Sequence, residues 1–280
     1  MKTEIELKQL VKEKYSEIAL QSKDLNAASC CGAGGCSTEV YNIMTDDYSD
    51  LEGYQPIADL GLGCGLPTQF AKIKEGDVVI DLGSGAGNDC FIARKEVGPT
   101  GKVIGIDFTE AMIQKARTNA EKIGYTNIEF RQGDIEQMPV NDNVADVIVS
   151  NCVLNLVPNK SNVIKEIYRV LKPGAHFSIS DIVLVGELPN VLQEAAEMYA
   201  GCVSGAIQKQ EYLNLITQNG FSNITIQKEK MIHVPDDILL NYVTKTELEQ
   251  FRNSGIGIFS ITVYAEKPEV KSCCGPNCCN

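Results

Sequence analysis

Histidine is nearly missing from this chain. Its 280 residues contain two, His176 and His233. The commonest general base is therefore scarce, and both positions suit a structural or solvated role, so a mechanism driven by imidazole finds little support. Basic clusters are missing as well. The 25 Lys and Arg residues are scattered and outnumbered by 37 Asp and Glu, giving a net charge of −12. A nucleic-acid partner would need a basic stripe, while an acidic surface mainly confers solubility. No apolar run is long enough to span a bilayer, and the opening "MKTEIELKQLVKEKY" is too charged for a secretory leader. No membrane association is expected, and the cytoplasm is the expected compartment. Internal repeats are also absent.

Cysteine is abundant by contrast, with eleven residues in a chain of ordinary 44% hydrophobic content. Cytoplasmic thiols stay reduced, so a disulfide framework is disfavoured; metal or metalloid binding, redox chemistry and inert burial remain. Cys30, Cys31 and Cys36 lie in "SCCGAGGC", and Cys273, Cys274, Cys278 and Cys279 in "SCCGPNCC". Vicinal cysteines do not easily bond to each other, but they make a close pair of soft ligands. Neither string has the paired spacing of a zinc module. Both suit redox exchange or metalloid capture, and the tail equally suits a thiol-rich extension with no catalytic part. Cys64, Cys90, Cys152 and Cys202 stand alone.

Residues 4–20 carry Leu7, Leu10, Val11, Tyr15 and Ile18 on one helical face. Residues 26–66 read as a loop-rich connector. From residue 76, "GDVVIDLG", "GKVIGID", "NIEFRQGD", "VADVIVSN" and "AHFSISDIV" are short apolar strands. Helical stretches separate most of them, which predicts βαβ units and a parallel sheet covered on both faces. Residues 190–206 look helical, "KQEYLNLITQNGFSNITIQKE" looks like helix, turn and strand, and "GIFSITVYAEKP" is a strand. The expected divisions are 1–65, an N-terminal helix with a Cys-rich connector; 66–184, the cofactor domain; 185–268, a smaller α+β region that completes the sheet; and 269–280, a mobile tail.

"VVIDLGSGAGND" places Gly83, Gly85 and Gly87 where a strand hands over to a helix. Glycine there permits a tight turn and close ligand approach, beside a helix N-terminus. The spacing is G-x-G-x-G, with Asn88 where a dinucleotide fold would place its third glycine. Asp81 precedes the first glycine by two. The string resembles the first-strand motif of class I S-adenosylmethionine (SAM) methyltransferases. That resemblance implies a Rossmann-like α/β fold with a mainly parallel seven-stranded sheet. It also implies a cofactor site of Asp81, Gly83, Ser84, Gly85 and Gly87, Asp107 and Phe108 at the end of the second strand, Asp134 and Ile135 by the adenine, and Asn151 by the methionyl end.

Cys152 follows Asn151, close to where a methyl donor must end. Cys202 sits in "MYAGCVSGA", and Cys64 in "LGLGCGLP", whose glycines would leave the thiol exposed. Cys90, on the apolar face of a helix, reads as a small buried hydrophobe. Thiolates select soft centres. Trivalent arsenic takes three sulfurs and keeps a lone pair that is itself a nucleophile, so no base is required. Aligning such a nucleophile with a methyl group removes about 7–11 kcal/mol of the barrier.

"LGSGAGNDC", "SNCVLNLVP", "KEIYRVLKPGA", "SDIV" and "GCVSGA" occur in an order that resembles the arsenite SAM methyltransferases along most of the chain. The resemblance implies arsenite and methylated trivalent arsenicals as substrates, in a detoxification role. It implies that Cys152 and Cys202 bind arsenic, with Cys64 as third ligand or redox partner. It further implies a disulfide exchange between Cys64 and a cysteine nearer the N-terminus, for which Cys30, Cys31 and Cys36 are candidates. Thioredoxin or glutathione would return the thiols. Nothing in the sequence suggests more than a monomer. Two competitors stand beside this reading. One is a C- or O-methyltransferase of a quinone- or sterol-like acceptor. The other is a non-catalytic thiol-rich metalloid binder.

Overall fold

Seven strands form one sheet: β1 Val78–Leu82, β2 Lys102–Asp107, β3 Ile128–Gln132, β4 Ala145–Asn151, β5 Leu171–Val185, β6 Ser222–Ile232 and β7 Gly257–Glu266. Their order in space is β3-β2-β1-β4-β5-β7-β6. The first five run parallel, and β7 lies antiparallel between β5 and β6. This is the Rossmann-like α/β architecture expected from the strand and helix alternation. The computed structural model describes residues 3–21, 46–189, 203 and 205–269. The expected helix at 190–206 falls almost wholly outside them, as do Cys30, Cys31, Cys36, Cys202 and the four cysteines of the tail.

The helices are α1 Glu4–Ala19, α2 Pro67–Phe70, α3 Asn88–Val97, α4 Glu110–Ile123, α5 Lys160–Val170, α6 Lys209–Gln218, α7 Asp236–Leu239 and α8 Lys245–Asn253. Period-two alternation decides which side chain faces which layer. Ile80, Leu82, Ile104 and Ile148 join Val163, Ile164 and Ile167 of α5 on one face. Val79, Val103, Val147 and Val149 join Phe91 of α3 and Ile113 of α4 on the other. Each such residue contributes about 1.5–3 kcal/mol when fully buried. With both faces covered, the strands need almost no polar residues, which makes the exceptions informative.

One exception is Asp181 on β5, fully buried. Its Oδ1 accepts from the Ile182 amide at 3.0 Å, and the Tyr212 hydroxyl donates to Oδ2 at 3.5 Å. Burial pushes its carboxyl up to about 7, against those donors and the Lys160 charge. The native carboxyl therefore keeps its proton to about pH 7, whereas the unfolded chain releases it near pH 4. Between those values the native state binds more protons, so this group's contribution to stability falls as pH rises and levels off above the window. Asp181→Asn should melt above wild type at about pH 8, by on the order of a few kcal/mol, with the gain vanishing toward about pH 4. Thermal melts across that range check it, and an equal shift at every pH would refute it.

The strand order reverses between β1 and β4, so the chain leaves these neighbours toward opposite sides. A crevice opens there at the carboxyl ends of the strands. Asp81 and Asn151 belong to this pair of strands, and Asp107 ends β2.

Candidate active site

The crevice is a cleft with a free volume of about 1110 Å³, counted out to its open mouth. Asp81, Gly83, Ser84, Gly85, Asp107, Phe108, Asp134, Ile135, Asn151 and Cys152, all expected from sequence, line it. Gly87 is not among the lining residues. Gly87 sits at φ 98° as the N-cap of α3, and a Cβ there would press on Phe91 and Phe130 at 3.0 Å. Its role is to seat the helix against the core.

Two glycines shape the floor. Gly83 has φ 66°, and any side chain there would run into Val153. Gly85 has φ 51°, yet nothing lies within 4 Å of a Cβ built on it. The space above Gly85 is thus left open to a ligand. Ser84 Oγ and Asn88 Oδ1 are buried in this wall without protein partners, although buried polar atoms normally have one. Asp107 is fixed by the Gly85 amide at 3.0 Å and the Thr109 amide at 2.8 Å. An open glycine cradle, unpaired buried polar atoms and a held carboxylate at the next strand end suit a nucleoside with a polar amino-acid end, as SAM has.

Acids crowd the end of this cleft beside β1 and β4. Burial and the neighbouring Asp89 push Asp81 well above the usual carboxylate range. Burial pushes Asp89 up to about 6, against donation by Tyr48, Asn151 and Thr68. The Cys90 thiol donates to Asp81 Oδ2 at 3.2 Å and is itself pushed well up by burial. Cys90 is thus the inert buried thiol expected, with an added hydrogen bond.

Cys64 departs from expectation. Its glycine neighbours were expected to expose it, but it is 1% exposed. A Cβ at Gly63 would meet Asn151 Nδ2 at 2.7 Å, and one at Gly65 would meet Ser180 Oγ at 2.6 Å. The glycines let the backbone close onto the sheet and bury the thiol. Cys64 is disulfide-bonded to Cys152, with Cα atoms 5.7 Å apart. Two of the three expected arsenic ligands are therefore joined to each other, and a three-thiolate set requires this bond to be opened. Cys152 holds the left-handed backbone at φ 61°, which is unusual for a side chain of this kind and gathers at functional sites. Its amide donates to Ser180 O at 2.8 Å. Cys202 lies outside the described residues, but Val203 is buried in the same apolar cluster as Cys64 and Cys152.

Tyr48 and Asp89 join the site without having been anticipated. Asn151 Oδ1 accepts from the Cys64 amide at 2.9 Å, and its Nδ2 donates to Gly65 O at 2.8 Å and to the Tyr48 hydroxyl. The single Tyr48 hydroxyl proton is in turn shared between Gly65 O and Asp89 Oδ2, each at 3.0 Å. This network clamps the Cys64 loop to the end of β4. Neither histidine serves it: His176 Nε2 pairs with Ala71 O at 2.6 Å on a sheet face, and His233 is exposed.

A family profile described as "Methyltransferase domain" matches residues 73–235. An arsenite methyltransferase of Halobacterium salinarum is 38% identical over 94% of this chain and 67% of its own length. The human arsenite methyltransferase is 31% identical over 83% of this chain and 64% of its own length. The chain thus spans about two thirds of the curated relatives it matches. The crystal structure of an arsenic (III) S-adenosylmethionine methyltransferase from Chlamydomonas reinhardtii superposes with a TM-score of 0.64. It is 30% identical and covers 83% of this chain and 75% of its own.

Proposed function

This chain belongs to the arsenite methyltransferases, and from that premise we propose that it methylates trivalent arsenic held by Cys152 and Cys202, with Cys64 as redox partner. The observation that carries the reading is a cysteine pair, Cys64 and Cys152, at the methionyl end of a SAM-type cleft that contains no histidine. Cys202 is one peptide bond from Val203, which packs in the cluster of that pair.

SAM, when bound, supplies a methyl group on a sulfonium sulfur that leaves with the bonding electron pair. The protein's residues do the remainder. Asp107, Ser84, Asn88 and Asp134 would hold the nucleoside, and Asp81, Asp89 and Asn151 the amino-acid end. Thiolates at Cys152 and Cys202 orient the arsenic lone pair. Arsenic carries no proton that must be lost, so no base is needed. Methylation uses the lone pair and raises arsenic to the pentavalent state. The Cys64 thiolate then attacks Cys152 sulfur. The new bond is the Cys64–Cys152 disulfide, the broken bond is Cys152 sulfur to arsenic, and its electron pair stays on arsenic, which returns to the trivalent state. A dithiol reductant of the thioredoxin kind, or glutathione, reopens the disulfide. Arsenite and its methylated trivalent products are the substrates.

The test is direct. Reduced protein is incubated with arsenite, SAM and a thiol, and arsenic species are separated by chromatography with mass detection. Methylated arsenic is expected. A folded, cofactor-binding protein that yields none would return attention to the carbon or oxygen acceptor.

A further inference from the structure

Helix α1 crosses the cleft but is thinly held. Of its sixteen residues, Ile18 and Ala19 are buried, both at its C-terminal end. They pack with Leu60, Ala86 and Met112. Lys115 Nζ reinforces that end, donating to Ala19 O at 2.8 Å and Gln21 O at 3.2 Å. The N-terminal half is different: Ile5 is 81% exposed and Leu10 is 49% exposed. From this half Lys8 reaches the body of the protein and lines the cleft. Its ammonium pairs with Asp134 Oδ2 at 2.6 Å and also with Glu136.

The partner turn is rigid. Asp134 Oδ1 accepts from the Glu136 amide at 2.9 Å, and Glu136 Oε1 accepts from the Asn159 amide at 3.0 Å, at the N-cap of α5. Of the two sides of this ion pair, α1 buries the less of itself, with Ile18 and Ala19 as its buried residues. Gly133, Asp134 and Ile135 line the same wall as Lys8, and this is where the adenine end of the cofactor belongs.

We propose that Lys8 is a positioning residue for the methyl donor: its ion pairs with Asp134 and Glu136 latch α1 across the adenine end of the cleft and slow cofactor release. The proposal rests on the cofactor reading given above. The C-terminal end of α1 is the hinge, and a bound nucleoside is retained while the latch is closed. Lys8 and Asp134 are partly exposed while Glu136 is mostly covered, so the Lys8–Asp134 pair is the modest and salt-sensitive part of the hold.

The experiment follows release of S-adenosylhomocysteine from the full chain by stopped-flow displacement, alongside deuterium uptake in residues 4–19. Lys8→Gln should release the ligand about fivefold faster, the scale of a partly exposed ion pair, and lose protection in α1 while the ligand is bound. Lys8→Arg should restore both readouts. The difference between wild type and Lys8→Gln should shrink as salt is added. Wild-type release from Lys8→Gln would overturn the proposal. So would faster release with α1 still protected, since Lys8 would then act on the ligand without the helix. A wild type that does not bind S-adenosylhomocysteine would overturn the cofactor reading first, and this one with it.

Discussion

Cys152→Ser forms no detectable methylated arsenic under conditions where the wild type turns over, while its affinity for S-adenosylhomocysteine is unchanged. That is the outcome expected from the cleft. The change replaces one sulfur by oxygen and keeps the size nearly constant, so the left-handed backbone at φ 61° and the amide bond to Ser180 O are preserved. What is lost is a soft ligand, and a hydroxyl does not replace a thiolate on a thiophilic centre. Changing a residue that merely supports a metal ligand costs about 10–100-fold, so losing a ligand itself should cost at least about 100-fold. The same change removes the partner of Cys64, so a pentavalent product would have no dithiol to reduce it. Chromatography of arsenic species decides the matter. Methylated product from Cys152→Ser at the wild-type rate would remove Cys152 from both roles. A loss of cofactor binding in the variant would mean that the substitution had disturbed the strand end rather than the ligand.

The second large effect is expected at Asn151. Asn151→Leu keeps the same branched skeleton of heavy atoms, though bulkier, but removes an acceptor for the Cys64 amide and donors to Gly65 O and Tyr48. Those groups would be stranded away from water, at about 1–3 kcal/mol each. We expect a stability loss of roughly 2–4 kcal/mol and a slower closing of the Cys64–Cys152 bond. The kinetic signature separates this from general damage. With SAM at saturation, to offset the contact that Asn151 would give its amino-acid end, a pre-reduced enzyme should still perform much of a first methylation, whereas repeated turnover should drop by roughly 30-fold, the rate equivalent of about 2 kcal/mol. Thiol alkylation with mass detection during turnover would show Cys64 accumulating as free thiol. Asn151→Asp keeps the acceptor for Cys64 and loses the donors, so an intermediate effect is expected. Equal losses in the first and later turnovers would refute the clamp.

The strands of the cofactor region were legible because they are buried on both faces. Runs such as "VVIDL" contain one polar residue, and that residue, Asp81, points into the cleft. The glycine string was legible for a related reason: Gly83 and Gly85 adopt backbone that side chains resist, so their spacing records the turn itself. Gly87 shows the limit, because an N-cap glycine packed on Phe91 and Phe130 and one that cradles a ligand look alike in sequence. Cys64 shows it more sharply. Flanking glycines can open a loop or let it pack closely, and only the positions of Asn151 and Ser180 decide between these. Tyr48 could not be found from spacing, since it acts from 103 residues away from Asn151. Helix α8 was missed although its signal was present: Thr244 and Glu247 form a reciprocal capping box, and its single buried residue, Leu248, gave no apolar stripe to notice.

The place of β7 has a consequence for how the molecule is made. It is the last strand in sequence, yet it lies between β5 and β6. During synthesis on the ribosome, β5 keeps an open edge and β6 has no neighbour until residues 257–266 emerge. Ser260 on β7 then donates to Cys64 O at 2.5 Å, and Thr262 joins Ser180 at 2.8 Å beneath Gly65. The seat of the reactive cysteine is thus completed later than the cofactor strands β1–β4. A nascent chain has its glycine cradle before it has its cysteine pair in place, so the thiols are gathered against each other only after residues 257–266 have emerged.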